Sequence, residues 1–116
     1  MTIFQVEPIT IAIGDTIAVQ FGFVNDDGTI PDFSEYFCYY VISPYGFEDT
    51  NIFSKEMSLV SETQNEFAVT LDTEDTSNFE AGAYTAKIVL SDGSNYFKKA
   101  RGNFNVIKDT SSVEVG

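Results

Sequence analysis

The chain has 116 residues, with 18 acidic and six basic side chains, no histidine and a formal net charge of −12. Charge of that sign repels phosphate backbones and anionic lipid, so nucleic acid and membrane are excluded as partners. The length suits one domain that can bury enough surface to fold without disulfides or metal. A hydrophobic fraction of 43% argues against disorder, because a disordered chain lacks the apolar area that offsets ordering entropy.

The single cysteine, Cys38, allows no intrachain disulfide, and within the run YFCYYVI it reads as a small buried hydrophobe. The N-terminal sequence MTIFQVEP lacks the basic segment and long apolar run of a secretory signal. Synthesis and assembly in the cytosol are therefore expected.

In chain order, residues 1–8 read as an N-terminal arm whose apolar weight lies on Ile3, Phe4 and Val6, interrupted by Pro8. Residues 9–13 alternate, and Gly14-Asp15 turns the chain into a second run. There Ile17, Val19, Phe21 and Phe23 share one face, opposite Ala18, Gln20 and Gly22. This period of two is that of a strand with one dry face. Asn25 to Gly28 closes it, and a loop with Pro31 and Phe33 follows.

Residues 36–43 are apolar on both faces, with Phe37, Tyr39 and Val41 on one and Tyr36, Cys38, Tyr40 and Ile42 on the other. Such a strand is either central, with its outer face covered, or part of an oligomer contact. Pro44-Tyr45-Gly46-Phe47 ends it. A strand over 52–60 should turn Phe53, Met57 and Leu59 inward, and one over 66–72 should do the same with Phe67, Val69 and Leu71. The final strand, 96–107, begins with an exposed KKAR and carries Gly102, which suggests a bulge or a close backbone approach.

The stretch 72–92, DTEDTSNFEAGAYTAKIVLSD, organises the rest. A polar turn-forming run meets Phe79, then Gly82 and Tyr84 open an alternating strand. In β-sandwiches a tyrosine at this place folds its hydroxyl back onto the preceding corner, and Gly82 would supply the permissive backbone for the entry. Gly82 and Tyr84 are thus the expected structural corner. The strand count and this corner predict an all-β fold, an immunoglobulin-like antiparallel β-sandwich of seven or eight strands over residues 9–108, followed by a flexible tail over 109–116.

The ordered motifs Gly14-Asp15, Asp27-Gly28 with Pro31 and Phe33, Gly82-x-Tyr84 and Gly102-x-Phe104 span nearly the whole domain. In that order and spacing the chain resembles the bacteriophage immunoglobulin-like family typified by the N-terminal domain of phage baseplate upper proteins. The resemblance implies a non-enzymatic structural component of a virion, assembled in the host cytoplasm and held by contacts with other virion proteins or further copies of itself. Baseplate members continue into a segment that carries a fibre or receptor-binding part. With the sequence ending at Gly116, the expectation widens to tail, neck or capsid decoration.

Catalytic signatures are missing from the sequence. Without histidine there is no imidazole base and no histidine-containing zinc set, and no glycine-rich loop opens a helix. The carboxylate pairs Asp26/Asp27, Glu48/Asp49 and Glu74/Asp75 fall in predicted turns, where solvated residues or, less simply, a loop-built Ca²⁺ site account for them. No enzyme activity, cofactor or metal is expected. The candidate contact residues are Ile3 and Phe4 in the arm, Tyr36, Cys38 and Tyr40 on the two-faced strand, Tyr45 and Phe47 after it, and the basic cluster Lys98, Lys99 and Arg101. An alternative is a carbohydrate or cell-surface ligand module, in which Tyr45 and Phe47, with Tyr39 and Tyr40 nearby, stack on sugar rings.

Overall fold

The computed structural model describes residues 4–5, 8–47 and 50–108, with backbone alone at 4–5 and 98–99. Ile3, the Glu48/Asp49 pair and the tail 109–116 lie outside the described residues. The period-two runs form strands: β1 (Phe4–Gln5), β2 (Ile9–Ala12), β3 (Ile17–Gly22), β4 (Phe37–Pro44), β5 (Phe53–Leu59), β6 (Glu66–Leu71), β7 (Gly82–Ser91) and β8 (Tyr96–Ile107). The only helix among the described residues is a single turn, α1 (Thr73–Thr76).

The strands run in the order β1-β8-β7-β4-β5-β6-β3, with β2 also on β8. Strand β5 belongs to two sheets. Its first residues pair with β4, and Ser58 and Leu59 pair with β6. By switching partners it carries the chain from one layer to the other, so that the eight strands form a nearly closed, barrel-like arrangement. The all-β class and the count of eight strands are as expected. The sheet is mixed, because β1 and β2 run parallel to β8 while every other pair is antiparallel.

One face of each sheet fills the core. Val19, Phe67, Val69 and Leu71 come from β3 and β6, while Cys38, Tyr40, Ile42, Ala86, Ile88, Leu90 and Phe104 come from β4, β7 and β8. Phe23 lies just past the end of β3 and stays buried: its N–H donates to the Asn65 carbonyl, and its ring meets Phe33 and Phe67 edge-on.

Two local expectations change. The irregularity in the β7–β8 ladder is at Lys99, which is skipped as the register passes from Ile88↔Ala100 to Val89↔Lys98. Gly102 pairs regularly with Ala86, so it marks no bulge. Within the run expected to be exposed, Ala100 is fully buried, because its partner Ile88 faces the core.

The polar run before Phe79 becomes α1. The Asp72 carboxylate accepts from the Asp75 N–H, and the Asp75 carboxylate accepts from the Asp72 N–H, a reciprocal cap. The buried Thr76 hydroxyl donates 2.6 Å to the Asp15 carbonyl, which ties this turn to the one between β2 and β3.

Candidate functional site

The corner forms at the start of β7. The Tyr84 hydroxyl donates 2.6 Å to the Glu80 carbonyl four residues upstream, while its ring packs edge-on against Phe79. Gly82 has φ +159°, at the near-extended limit of the region glycine favours, and nothing lies within 4 Å of where a Cβ would stand. The glycine therefore supplies backbone latitude and no clearance.

On β4 the face that carries Cys38, Tyr40 and Ile42 turns into the core, as expected of Cys38 as a small buried hydrophobe and against the expectation of Cys38 and Tyr40 as contact candidates. Cys38 and Tyr40 are 0% and 1% exposed, so neither can serve as a contact residue. The reason is register. Cys38 pairs with Leu90 and Met57, Tyr40 with Ile88, and the apolar partners on β7 face the core. The Cys38 thiol lies 3.6 Å from the Met57 sulfur, and burial pushes its pKa up to about 12. Burial also drives the Tyr40 phenol upward, and its hydroxyl has no hydrogen-bond partner among the described residues. Tyr36 is half-buried and tilts onto Phe33, at the margin of the core.

The outer face of this sheet is built from Phe37, Tyr39, Val41 and Ser43 on β4 and from Thr85, Lys87, Val89 and Ser91 on β7. Its centre is covered from within the chain. The Asn51 side-chain oxygen accepts from the Ser43 hydroxyl at 3.1 Å and from the Lys87 ammonium at 2.9 Å, leaving Lys87 only 3% exposed. Beside this cover lies a groove of about 520 Å³ lined by Tyr39, Val41, Asn51, Ser54, Lys87, Val89 and Tyr96. The Tyr39 and Tyr96 rings are 6.5 Å apart between centroids and inclined at 46°.

Sequence reasoning missed this groove because its members come from four strands and a loop. Four of the six cations, Lys87, Lys98, Lys99 and Arg101, fall on β7 and β8, and Lys87 pairs directly with Arg101. Of the basic cluster seen in the sequence, Arg101 is thus set beside Lys87, while the side chains of Lys98 and Lys99 lie outside what is described.

Tyr45 and Phe47 follow β4 in the connection 45–52 and are 65% and 68% exposed. Ile52, in the same connection, is also exposed. The constellation expected to stack on sugars is not assembled: Tyr40 is in the core, and neither Tyr45 nor Phe47 lines the groove that holds Tyr39. The described carboxylate pairs serve local structure. Asp27 accepts from the Thr29 hydroxyl and N–H, which hold its carboxyl below the usual range. Glu74 and Asp75 open α1. Among the described residues, no three of His, Cys, Asp and Glu gather where they could hold a metal ion, and no helix is long and apolar enough to cross a membrane. No protein-family model matches the chain, and no curated protein matches it.

Proposed function

We propose that the chain is a non-catalytic attachment module of a bacteriophage particle, in a tail, baseplate, neck or capsid-decorating position, that works through protein–protein contacts. The phage setting is supported by the ordered turn and corner motifs on which the family resemblance rests. The observation that carries the mode of action is the connection 45–52, where Tyr45, Phe47 and Ile52 are all exposed on one short segment of an otherwise strongly acidic chain.

Large apolar side chains grouped in this way mark a surface that another protein covers. Burying one such Tyr or Phe contributes about 1.5 to 3 kcal/mol, so a few per copy suffice in a multivalent assembly. Attachment therefore needs no catalytic group and no cofactor.

The test is sedimentation. A tagged chain produced in cells that assemble the particle should band with intact particles in a density gradient, and the double variant Tyr45→Ser/Phe47→Ser should remain at the top. A wild-type chain that never bands with particles overturns the proposal.

A further inference from the structure

We propose that the groove on the outer face of β4, β5 and β7 is a binding site for a neutral saccharide. The lining alternates in chemistry. Val41 and Val89 lie on adjacent strands, and the Tyr39 and Tyr96 rings, 6.5 Å apart and inclined to one another, add two aromatic faces. Around them stand the exposed Ser54 and Asn51, which bring a hydroxyl and an amide to the lining.

A pyranose has matching chemistry: an apolar face of C–H groups that stacks on an aromatic ring, and an edge of hydroxyls that both donate and accept. The cavity, about 520 Å³, falls in the range of roughly 300 to 1,000 Å³ typical of small-molecule sites and accommodates a mono- or disaccharide.

Charge selects the class of sugar. Among the described residues the one cation in the lining, Lys87, is engaged by the Asn51 side-chain oxygen, and the chain as a whole carries −12. Uronic and phosphorylated glycans are repelled at long range, whereas a neutral sugar feels no such penalty. Asn51 has a double part: its oxygen accepts from Lys87 and Ser43, and the residue lines the same groove as the two tyrosines. This assignment does not depend on the virion setting, and Tyr45 and Phe47 take no part in it.

The decisive experiment is a heteronuclear NMR titration of the full chain with the methyl glycosides of glucose, galactose, mannose and N-acetylglucosamine, neutral disaccharides of the same sugars, and glucuronate as the anionic comparator. Saturable shifts are expected at Tyr39, Val41, Ser54, Val89 and Tyr96 with at least one neutral sugar and weaker or no binding of glucuronate. Tyr96→Ala, at a side chain that is 71% exposed, should weaken binding about tenfold or more, the loss of a stacking face, with the spectrum itself reporting an intact fold. Tyr45→Ala should bind as the parent does. Absence of saturable shifts across the neutral panel, preference for glucuronate, or undiminished binding by Tyr96→Ala would each overturn the assignment. None of these results bears on sedimentation with particles.

Discussion

The Tyr84 hydroxyl reaches back 2.6 Å to the Glu80 carbonyl, so the residue that opens β7 also closes the corner by which the chain arrives there. Its ring is independently held by Phe79, which in turn packs on Phe53 and Phe104. Tyr84→Phe removes the bond and keeps the packing. The expected result is a loss of about 1 kcal/mol, the usual net worth of one hydrogen bond, seen as a lower urea midpoint with an unchanged m-value. Unaltered stability would show that the bond contributes nothing to holding the corner.

Tyr40 makes the opposite case. Its hydroxyl is buried without a partner among the described residues, and an unmet polar group in a core is a cost. Tyr40→Phe deletes that group and leaves the ring against Phe104. Stability should stay level or rise by up to about 1 kcal/mol in the same urea experiment. A clear destabilisation would mean that the hydroxyl is satisfied in solution, for instance by a buried water.

These two tyrosines also show what the sequence could and could not carry. Tyr84 was legible because a corner tyrosine has a local signature: a polar turn, a glycine two residues before it, and alternation after it. Likewise β3 and β6 were legible because each has one dry face, and a one-residue slip would put Val19 or Phe67 in water. Strand β4 has no such signal. Phe37, Tyr39 and Val41 are as apolar as Cys38, Tyr40 and Ile42, and only pairing with Met57, Ile88 and Leu90 decides which set faces the core. Lys87 lies on the opposite face from Ala86 and Ile88 and yet is 3% exposed, with its ammonium donating to the side chain of Asn51, 36 residues earlier. The groove beside it depends on the same nonlocal arrangement, as does the parallel pairing of β2 with β8. The capping pair Asp72 and Asp75, by contrast, was written in the local sequence and overlooked.

Cys38 should behave as a core side chain toward thiol reagents. It is fully buried, and its pKa is pushed from 9.0 up to about 12, so the thiolate that reacts is suppressed twice over, by access and by ionisation. Labelling of the native protein near neutral pH should proceed only as fast as global unfolding exposes the thiol, and labelling in denaturant should be immediate. Fast stoichiometric labelling of the folded chain would refute the burial.

The same shift has a sign for stability against pH. A thiol whose pKa is raised by folding stays protonated in the native state while the unfolded chain begins to lose its proton near 9.0. The unfolded state then binds fewer protons, and stability falls as pH rises. Full stability is expected below 9.0, with a progressive loss between 9.0 and about 12. Cys38→Ala should flatten that part of the profile relative to wild type, measured by urea midpoints at successive pH values. The buried Tyr40 phenol shifts in the same direction, so the double variant Cys38→Ala/Tyr40→Phe should be flatter still.

At the acid end one contributing pair is Lys55 and Asp75. The Lys55 ammonium donates 2.6 Å to the Asp75 carboxylate and 2.8 Å to the Thr70 carbonyl, so one side chain joins β5, β6 and α1. Its hydrogen bond is the main cause that lowers the Asp75 pKa below 3.8, and the Asp72 N–H adds to the effect. A carboxylate with a depressed folded pKa stabilises the native state above its unfolded pKa, and that contribution is lost as pH falls through the folded value. Asp75→Asn keeps an acceptor for the helix cap but removes the charge. The variant should therefore unfold at lower urea than the parent at neutral pH, and the two curves should converge below 3.8, once the parent's own carboxylate is protonated. The partly exposed position of the pair makes the neutral-pH difference salt-dependent, shrinking as added salt screens the ammonium from the carboxylate. A difference that persisted unchanged into acid would assign the effect to the cap geometry instead of the charge.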